Sequence, residues 1–264
     1  MNATAAVEVA PGFRTQVGAH GIQHWWLSNE ARRNAVSPAA LEWIAMACAG
    51  LRGEVVVLRG AGGRAFCAGF DLTALTVPAP EGSLPDSPLI AATTAMQQAD
   101  ATFVAVIEGY AIGAGVELAC ACDLRIARQG AFFAIPAAEL GVVYHAHGLQ
   151  TIREVFGPAG VRRLLLLGDR ITAQEAYDAG ALVRLPDTES LESTVDDVIA
   201  RLRRAAPLSI QGNRDLLRTL DRGPVPPEVA TEHEARRRAS YTSEDQVEAR
   251  QARLQGRRPK FRGR

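Results

Sequence analysis

The chain has 264 residues, 47% of them hydrophobic, and its 29 basic and 29 acidic side chains give no formal net charge at pH 7. This length allows one large α/β unit or a core with a smaller appendage, and the apolar content is sufficient for a buried interior. The balanced charge excludes the broad basic face that nucleic-acid binding requires.

The cysteines lie in apolar settings and lack the paired C-x-x-C spacing of a zinc site, so we expect reduced core thiols and no bound metal. No apolar run reaches the roughly 18 residues that a membrane span needs. The N-terminus has neither the charged nor the apolar region of a secretion signal. The sequence therefore predicts a soluble, cytoplasmic protein with no nucleic-acid or membrane partner. The cysteines are Cys48, Cys67, Cys120 and Cys122.

Short β-branched runs alternate with helical patterns along the first part of the chain. A helix is expected to begin after Ser37, because serine is a favoured cap and Pro38 fits the first helical turn. A later segment is rich in proline and has no periodicity, which is typical of a loop. The predicted elements here are strands 13–18 and 22–27 in a hairpin, a helix from 37 to 48, a strand at 54–59, a short helix at 72–75 and the loop 76–88.

The middle of the chain repeats strands and helices, and the remainder is helical. The repeated pattern is typical of a ββα core. We assign residues 1–200 to this α/β core and residues 201–264 to a C-terminal helical region. The predicted elements are a helix at 89–99, a strand at 102–107, a helix at 115–122, strands at 124–127 and 131–134, and helices from about 147 with a break at 222–227.

One carboxylate stands alone in the most apolar of these units. Residues 102–108 form a buried-type strand, and the glycine-rich turn 109–115 leads into a helix that is apolar on nearly every face. The small residues at the helix start leave backbone N–H groups free to approach a ligand. Glu117, one turn into the helix, is expected to be desolvated and able to exchange protons. Alternatively, Glu117 is structural and accepts from the helix N-terminal amides or pairs with Arg125.

Two segments resemble paired patterns of the crotonase superfamily, the enoyl-CoA hydratase and isomerase relatives. They are Phe66-Cys-Ala-Gly-Phe-Asp71 and the glycine-rich stretch from Gly109 to Ile126. The resemblance implies an α/β fold, with a crotonase-like spiral core of ββα repeats and a C-terminal helical region that mediates trimerisation. It also implies an oxyanion hole, in which the backbone N–H groups of Phe70 and Ala114 hold the carbonyl of an acyl-CoA thioester. Each donor in such a dry site stabilises the enolate by roughly 3 kcal/mol.

Further segments follow in the order expected for this superfamily. Residues 27–36 resemble its first active-site loop, where Arg32 or Arg33 would meet the CoA phosphates. Residues 164–183 resemble the signature that follows the core, and the C-terminal tail resembles the region that covers the adenine of CoA. The resemblance implies no cofactor and no metal beyond the coenzyme A thioester that is the substrate. The residues that it places around substrate and CoA are Arg33, Ala35, Ala68, Asp71, Leu72, Lys260 and Phe261.

The chain departs from the family where hydratases carry a second glutamate after a proline. That place holds Ala137 here, and Glu139 lies two residues further on, so it cannot simply take the same role. His145 occupies the place where some isomerases and a dehalogenase of the superfamily carry a working carboxylate. Histidine suits proton transfer near neutral pH, so one interpretation makes Glu117 and His145 an acid/base pair. The other is that His145 only lines the pocket.

These patterns predict an acyl-CoA enzyme of the enoyl-CoA hydratase/isomerase type, a lyase or isomerase of fatty acid metabolism with Glu117 as acid/base. Loss of the second glutamate leaves decarboxylation or C–C hydrolysis by the same kind of site open. A catalytically inactive acyl-CoA-binding protein, which Ala137 suggests, is the remaining alternative. The resemblance also implies a homo-oligomer, either a homotrimer or a dimer of trimers.

Overall fold

A computed structural model describes residues 4–71 and 84–264. The chain divides into two compact units, Met1–Thr194 and Val195–Arg264. The boundary expected after residue 200 falls within the helix Leu191–Arg204. The helix expected at 72–75, most of the loop expected at 76–88, and the candidate substrate-binding residue Leu72 lie outside the described residues.

The first unit alternates short strands with helices. Its strands are β1 Val7–Ala10, β2 Phe13–Val17, β3 Gln23–Leu27, β4 Glu54–Gly60, β5 Ala65–Cys67, β6 Ala101–Ile107, β7 Tyr110–Ile112, β8 Leu124–Ala127, β9 Phe132–Ala134 and β10 Ile171–Thr172. Its helices are α1 Pro38–Cys48, α2 Ser87–Gln98, α3 Ala114–Ala121, α4 Ala137–Leu140, α5 Ala146–Arg162 and α6 Ala173–Asp178, with a π-helical turn at Arg163–Leu167. The helix α7 Leu191–Arg204 follows them.

Two sheets share these strands. In the larger sheet, β1, β2 and β3 pair antiparallel, and β3, β4, β6 and β8 continue in parallel. The smaller sheet joins β5, β7 and β9 in parallel, with β10 antiparallel at its edge. Each of β4, β6 and β8 thus passes into a strand of the smaller sheet, and α2, α3 or α4 comes next along the chain. The predicted ββα spiral core is confirmed.

The core beneath the larger sheet is built around an aromatic cluster. Phe13, Trp25 and Phe103 are buried, and the ring of Trp25 meets those of Phe13, Phe103 and Trp43 at centroid distances of 5.2 to 6.1 Å. Burial of each such side chain contributes about 1.5–3 kcal/mol. Every residue of β6 is buried, and so is every residue of α3. The helix that carries Glu117 therefore stands on a packed interior.

The second unit consists of helices and a C-terminal tail. Its helices after α7 are α8 Pro207–Arg222, α9 Pro227–Tyr241 and α10 Glu244–Leu254, so the predicted break at 222–227 is confirmed. Asp245 is buried and accepts hydrogen bonds from the backbone N–H groups of Arg262 and Gly263 at 2.6 and 2.8 Å, which fixes the tail to α10. Nowhere in the described ranges is a helix both long enough and apolar enough to cross a membrane.

Candidate active site

Two turns of the first unit pack directly against one another. Gly115, the second residue of α3, lies so close to Cys67 that a Cβ on Gly115 would stand 2.7 Å from the Cys67 carbonyl oxygen. Gly69 has a φ of +104°, and a Cβ there would stand 3.2 Å from the Ile112 carbonyl oxygen. A larger residue at either position would push the two turns apart. The segment after β5 and the start of α3 are therefore brought together.

The backbone around Phe70 and Ala114 directs two N–H groups away from their own strands and helices. The Gly69 carbonyl accepts from the Val36 N–H at 2.9 Å, and the Gly113 carbonyl accepts from the N–H groups of Val116 and Glu117. In a trans peptide the N–H points opposite to the C=O that precedes it. The Phe70 N–H thus points away from the Val36 segment, and the Ala114 N–H points out of the N-terminal end of α3.

The two candidate catalytic side chains meet inside the first unit. The Glu117 carboxyl is 2% exposed, and its Oε2 atom lies 3.0 Å from Nε2 of His145. His145 caps α5, because its Nδ1 atom accepts from the Gly148 N–H at 3.0 Å. That bond requires an unprotonated Nδ1, so the neutral ring carries its proton on Nε2, towards Glu117. The two atoms are 3.0 Å apart but are not aligned as a hydrogen bond, and the contact becomes an ion pair when His145 is protonated.

Gly148 makes this contact possible, and our sequence analysis did not identify it. A Cβ on Gly148 would stand 2.8 Å from Cδ of Glu117 and 2.8 Å from Cε1 of His145. Real Cβ atoms do not approach other heavy atoms so closely, so any side chain here would displace one of the two groups. The signal in the sequence is only a glycine three residues after the histidine.

The short contact with the Glu117 carboxylate raises the pKa of His145 above its ordinary value of about 6.5, while partial burial opposes the shift. We expect an NMR titration of the His145 ring to give a midpoint above 6.5, and the midpoint to fall in the Glu117→Gln variant. Because the pKa is raised in the folded state, His145 protonation stabilises the fold below about pH 6.5, and this contribution is lost as pH rises through the raised pKa.

The control for this titration is Glu139→Gln, which makes the same chemical change at an exposed carboxylate. It should leave the His145 midpoint unchanged. A wild-type midpoint at or below 6.5 would contradict the contact.

Two further groups border the site. The Tyr144 hydroxyl would lie 3.7 Å from a Cβ on Gly113, close to the start of α3. Burial, and next the negative charge of Glu117, raise the pKa of Tyr144, so it is a neutral phenol that can donate a hydrogen bond. Burial also raises the pKa of the Cys67 thiol to about 12, which makes Cys67 a poor nucleophile.

The residues at and near the place of the second hydratase glutamate supply no carboxylate to this site. Ala137 is buried at the start of α4, and Glu139 is exposed, with its side chain near Gly168. Arg125, the alternative partner for Glu117, donates to the carbonyl oxygens of Ala119, Cys122 and Ala181. Glu117 instead contacts His145.

The loop before α1 brings several candidate CoA-binding residues near Phe70. Arg33 lies on the surface with its carbonyl accepting from the Ala68 N–H at 3.1 Å, and its Nη1 atom lies 3.3 Å from the Tyr110 hydroxyl. Asp71 accepts from Arg32 at 2.6 Å. Ala35 is half-buried in the same loop. Arg33, Ala35, Ala68 and Asp71 are thus neighbours in the fold.

Asn34 holds this loop in place and was missed by our sequence analysis. It is 1% exposed, and its Nδ2 atom donates to the carbonyl oxygens of Ala61 and Ala65 at 2.9 and 2.8 Å. A single buried amide between Arg33 and Ala35 gives no periodic signal.

Lys260 and Phe261 belong to the second unit. The Lys260 N–H donates to Glu248 at 2.8 Å, and its side chain is exposed. Phe261 lines a cavity of about 470 Å³ together with His233, Arg236 and Tyr241.

Comparison with solved structures defines the class of fold. The chain superposes on the "enoyl-CoA hydratase/carnithine racemase" from Magnetospirillum magneticum with a TM-score of 0.87 and 25% identity, covering 98% of this chain and 97% of that one. It superposes on the enoyl-CoA hydratase from Bacillus anthracis with a TM-score of 0.81 and 25% identity over 100% of both chains. The fold is that of the crotonase superfamily.

The sequence agrees with the structure. The profile of the enoyl-CoA hydratase/isomerase family matches residues 19–264, and the chain belongs to this family. It is 34% identical to the carnitinyl-CoA dehydratase of Proteus mirabilis over 169 residues, and these residues cover 62% of this chain and 63% of the relative. It is 33% identical over 176 residues to the carnitinyl-CoA dehydratase of Escherichia coli strain K12, 65% of this chain and 66% of the relative. The match spans just under two thirds of these relatives' own length.

Proposed function

We propose that the chain interconverts 2-enoyl and 3-hydroxyacyl thioesters of coenzyme A by stabilising a thioester enolate. The N–H groups of Phe70 and Ala114 would bind the thioester oxygen, and Glu117 would move the proton. The observation that carries this proposal is the buried Glu117 carboxylate in contact with His145, on the helix whose first N–H group points outward. A buried carboxylate with a proton-bearing partner is suited to proton transfer.

The proposed reaction adds water across the double bond of a 2-enoyl thioester. In hydration, the water oxygen forms a bond to the β-carbon while the Glu117 carboxylate takes a proton from the water. The electrons of the double bond move towards the thioester oxygen. The resulting oxyanion lies between the two backbone N–H groups, whose hydrogen bonds strengthen as negative charge develops on the oxygen. Glu117 then returns a proton to the α-carbon, and dehydration is the reverse.

Dehydration is favoured over other enolate reactions by the relatives, whose names describe dehydratases of carnitinyl-CoA. Double-bond isomerisation uses the same groups, since Glu117 can remove a proton from one carbon and return it to another. The absence of a carboxylate at Ala137 favours a second candidate, an acyl-CoA-binding protein without turnover.

A panel of thioesters separates these candidates. We expect crotonyl-CoA or a longer 2-enoyl-CoA to gain water. The reaction is measured as the loss of absorbance of the conjugated double bond. Appearance of a shifted double bond without hydration would assign the isomerase reaction. Binding in a calorimeter with no product from enoyl, 3-hydroxyacyl, β-ketoacyl and malonyl-type thioesters would overturn turnover and favour the binding protein.

We propose also that the protein assembles as a homotrimer or a dimer of trimers. The support is a group of exposed apolar side chains in the first unit, which monomeric proteins rarely leave in water. A monomer in light scattering at micromolar concentration would contradict this. The side chains are Leu140, Val142, Val143, Leu166 and Leu167.

A further inference from the structure

Three buried side-chain atoms in one region of the first unit have no hydrogen-bond partner within the described residues. They are Oε2 of Glu117, Nε2 of His145 and Oδ1 of Asp86. Buried polar atoms in folded proteins are nearly always hydrogen-bonded, and exceptions mark places where a ligand or water completes the set. The first two belong to the site already described. The proposed reaction gives Asp86 no role.

The packing of α2 against α5 places Asp86 on the same side of the contact between these helices as His145. Thr94 Oγ1 lies 3.4 Å from His147 Nε2, and Gln97 donates to Thr151 at 3.2 Å. Residue numbers rise together in these two pairs, so the helices run in the same direction. Asp86 precedes α2 and His145 precedes α5, so both residues lie on the N-terminal side of these two contacts.

The Asp86 side chain is not used to start its helix. Asp86 occupies the N-cap position of α2, but its carboxylate makes no cap hydrogen bond. Its negative charge is near enough to raise the pKa of both Tyr144 and His145, in each case as a smaller cause than burial or Glu117. The charge of Asp86 therefore acts on these two side chains, and its carboxylate is not taken up by a cap hydrogen bond to the α2 backbone.

We propose that Asp86 binds the acyl group: its Oδ1 atom accepts the hydrogen bond of a hydroxyl on the β-carbon, or of the water that becomes this hydroxyl. This inference rests on the proposed function and names its substrate class, the 3-hydroxyacyl and 2-enoyl thioesters. Glu117 is in contact with His145, the side chain of Ala137 has no polar atom, and Glu139 is exposed. Asp86 orients the O–H bond of this hydroxyl or water and neither gains nor loses a proton in the reaction.

The test compares two ligands that differ by one hydroxyl, butyryl-CoA and each enantiomer of 3-hydroxybutyryl-CoA. Binding is measured by calorimetry in a Glu117→Gln background, so that neither ligand reacts. We expect one hydroxylated ligand to bind at least 10-fold more tightly than butyryl-CoA, because a hydrogen bond to a charged acceptor gives an advantage of about 10- to 100-fold. Adding Asp86→Asn should remove this preference and change butyryl-CoA binding less than about 2-fold.

Asparagine is as good a helix cap as aspartate, so Asp86→Asn should keep the start of α2 intact. The control is Glu139→Gln in the same background, which should retain the preference. Equal affinity for all ligands, or a preference that survives Asp86→Asn, would overturn this inference and leave the proposed function standing. Failure of the protein to bind any of the thioesters would overturn the proposed function and this inference with it.

Discussion

The Glu117→Gln variant is expected to lose turnover of any accepted 2-enoyl- or 3-hydroxyacyl-CoA by about 10²- to 10⁴-fold, the usual contribution of a general acid/base. Glutamine has nearly the shape of glutamate, so the packing of the fully buried helix α3 should persist. Thioester binding should weaken far less, because the proposed carbonyl contacts are backbone N–H groups that the change does not touch. Steady-state kinetics gives kcat, and calorimetry gives the affinity for an unreactive acyl-CoA.

The same variant separates a catalytic Glu117 from a structural one. If Glu117 only anchored His145, its replacement would lower the melting temperature while each folded molecule kept its activity. Loss of kcat with little loss of folded protein is the catalytic signature, and full kcat in Glu117→Gln would show that the assignment is wrong. Glu139→Gln, an exposed glutamate in the sequence pattern nearest to the missing hydratase residue, should retain wild-type turnover.

The parts of the site that depend on backbone could be predicted from sequence. Gly69 and Gly115 stand at positions where a Cβ would collide with the facing turn, so the glycine pattern records the contact itself. The resemblance to the crotonase superfamily then pointed to the N–H groups of Phe70 and Ala114, which need no particular side chain. The helix start at Ser37 was also predicted correctly, because the Ser37 side chain caps the helix and accepts from the Ala40 N–H at 3.2 Å.

The parts that depend on where side chains meet were predicted less completely, since the pairing of Glu117 with His145 was only one of two interpretations of the sequence. Histidine is not a usual N-cap residue, so nothing in the sequence shows that Nδ1 of His145 caps α5 and leaves Nε2 facing Glu117. Asp86, in contrast, stands in the pattern of an N-cap, followed by Ser87 and Pro88, and its side chain does not cap. Local pattern predicts the position of a residue along an element, and tertiary packing decides where its functional atoms point.

Some of the shortest strands and helices were not predicted from the sequence. The strands β5 and β7, of three residues each, were not expected, although they hold the two turns of the site in register. The helix α4 has four residues and was not expected either. These elements exist because the longer strands β4, β6 and β8 position them, which is information distributed along the whole chain.

The Gly148→Ala variant should also lose activity, although it removes no functional group. The added methyl would stand 2.8 Å from Cδ of Glu117 and 2.8 Å from Cε1 of His145, so at least one of them must move. A displacement of about 1 Å of a reacting group can cost about 10²-fold in rate, and we expect a loss of kcat of that order. The His145 titration midpoint should fall towards 6.5, because its pKa is raised by the contact with Glu117.

A matched substitution separates this steric effect from a general effect of alanine. Gly212→Ala lies in α8, where a Cβ would meet nothing within 4 Å, and it should stabilise the protein by about 0.5–1 kcal/mol without changing kcat. Gly148 lies in α5, so its alanine variant gains the same helix propensity but should be no more stable, since the gain is offset by the collision. Wild-type kcat together with a raised melting temperature in Gly148→Ala would contradict the close approach of the Gly148 backbone to Glu117. Loss of kcat at an unchanged melting temperature would instead show that the geometry of the Glu117–His145 contact limits the reaction.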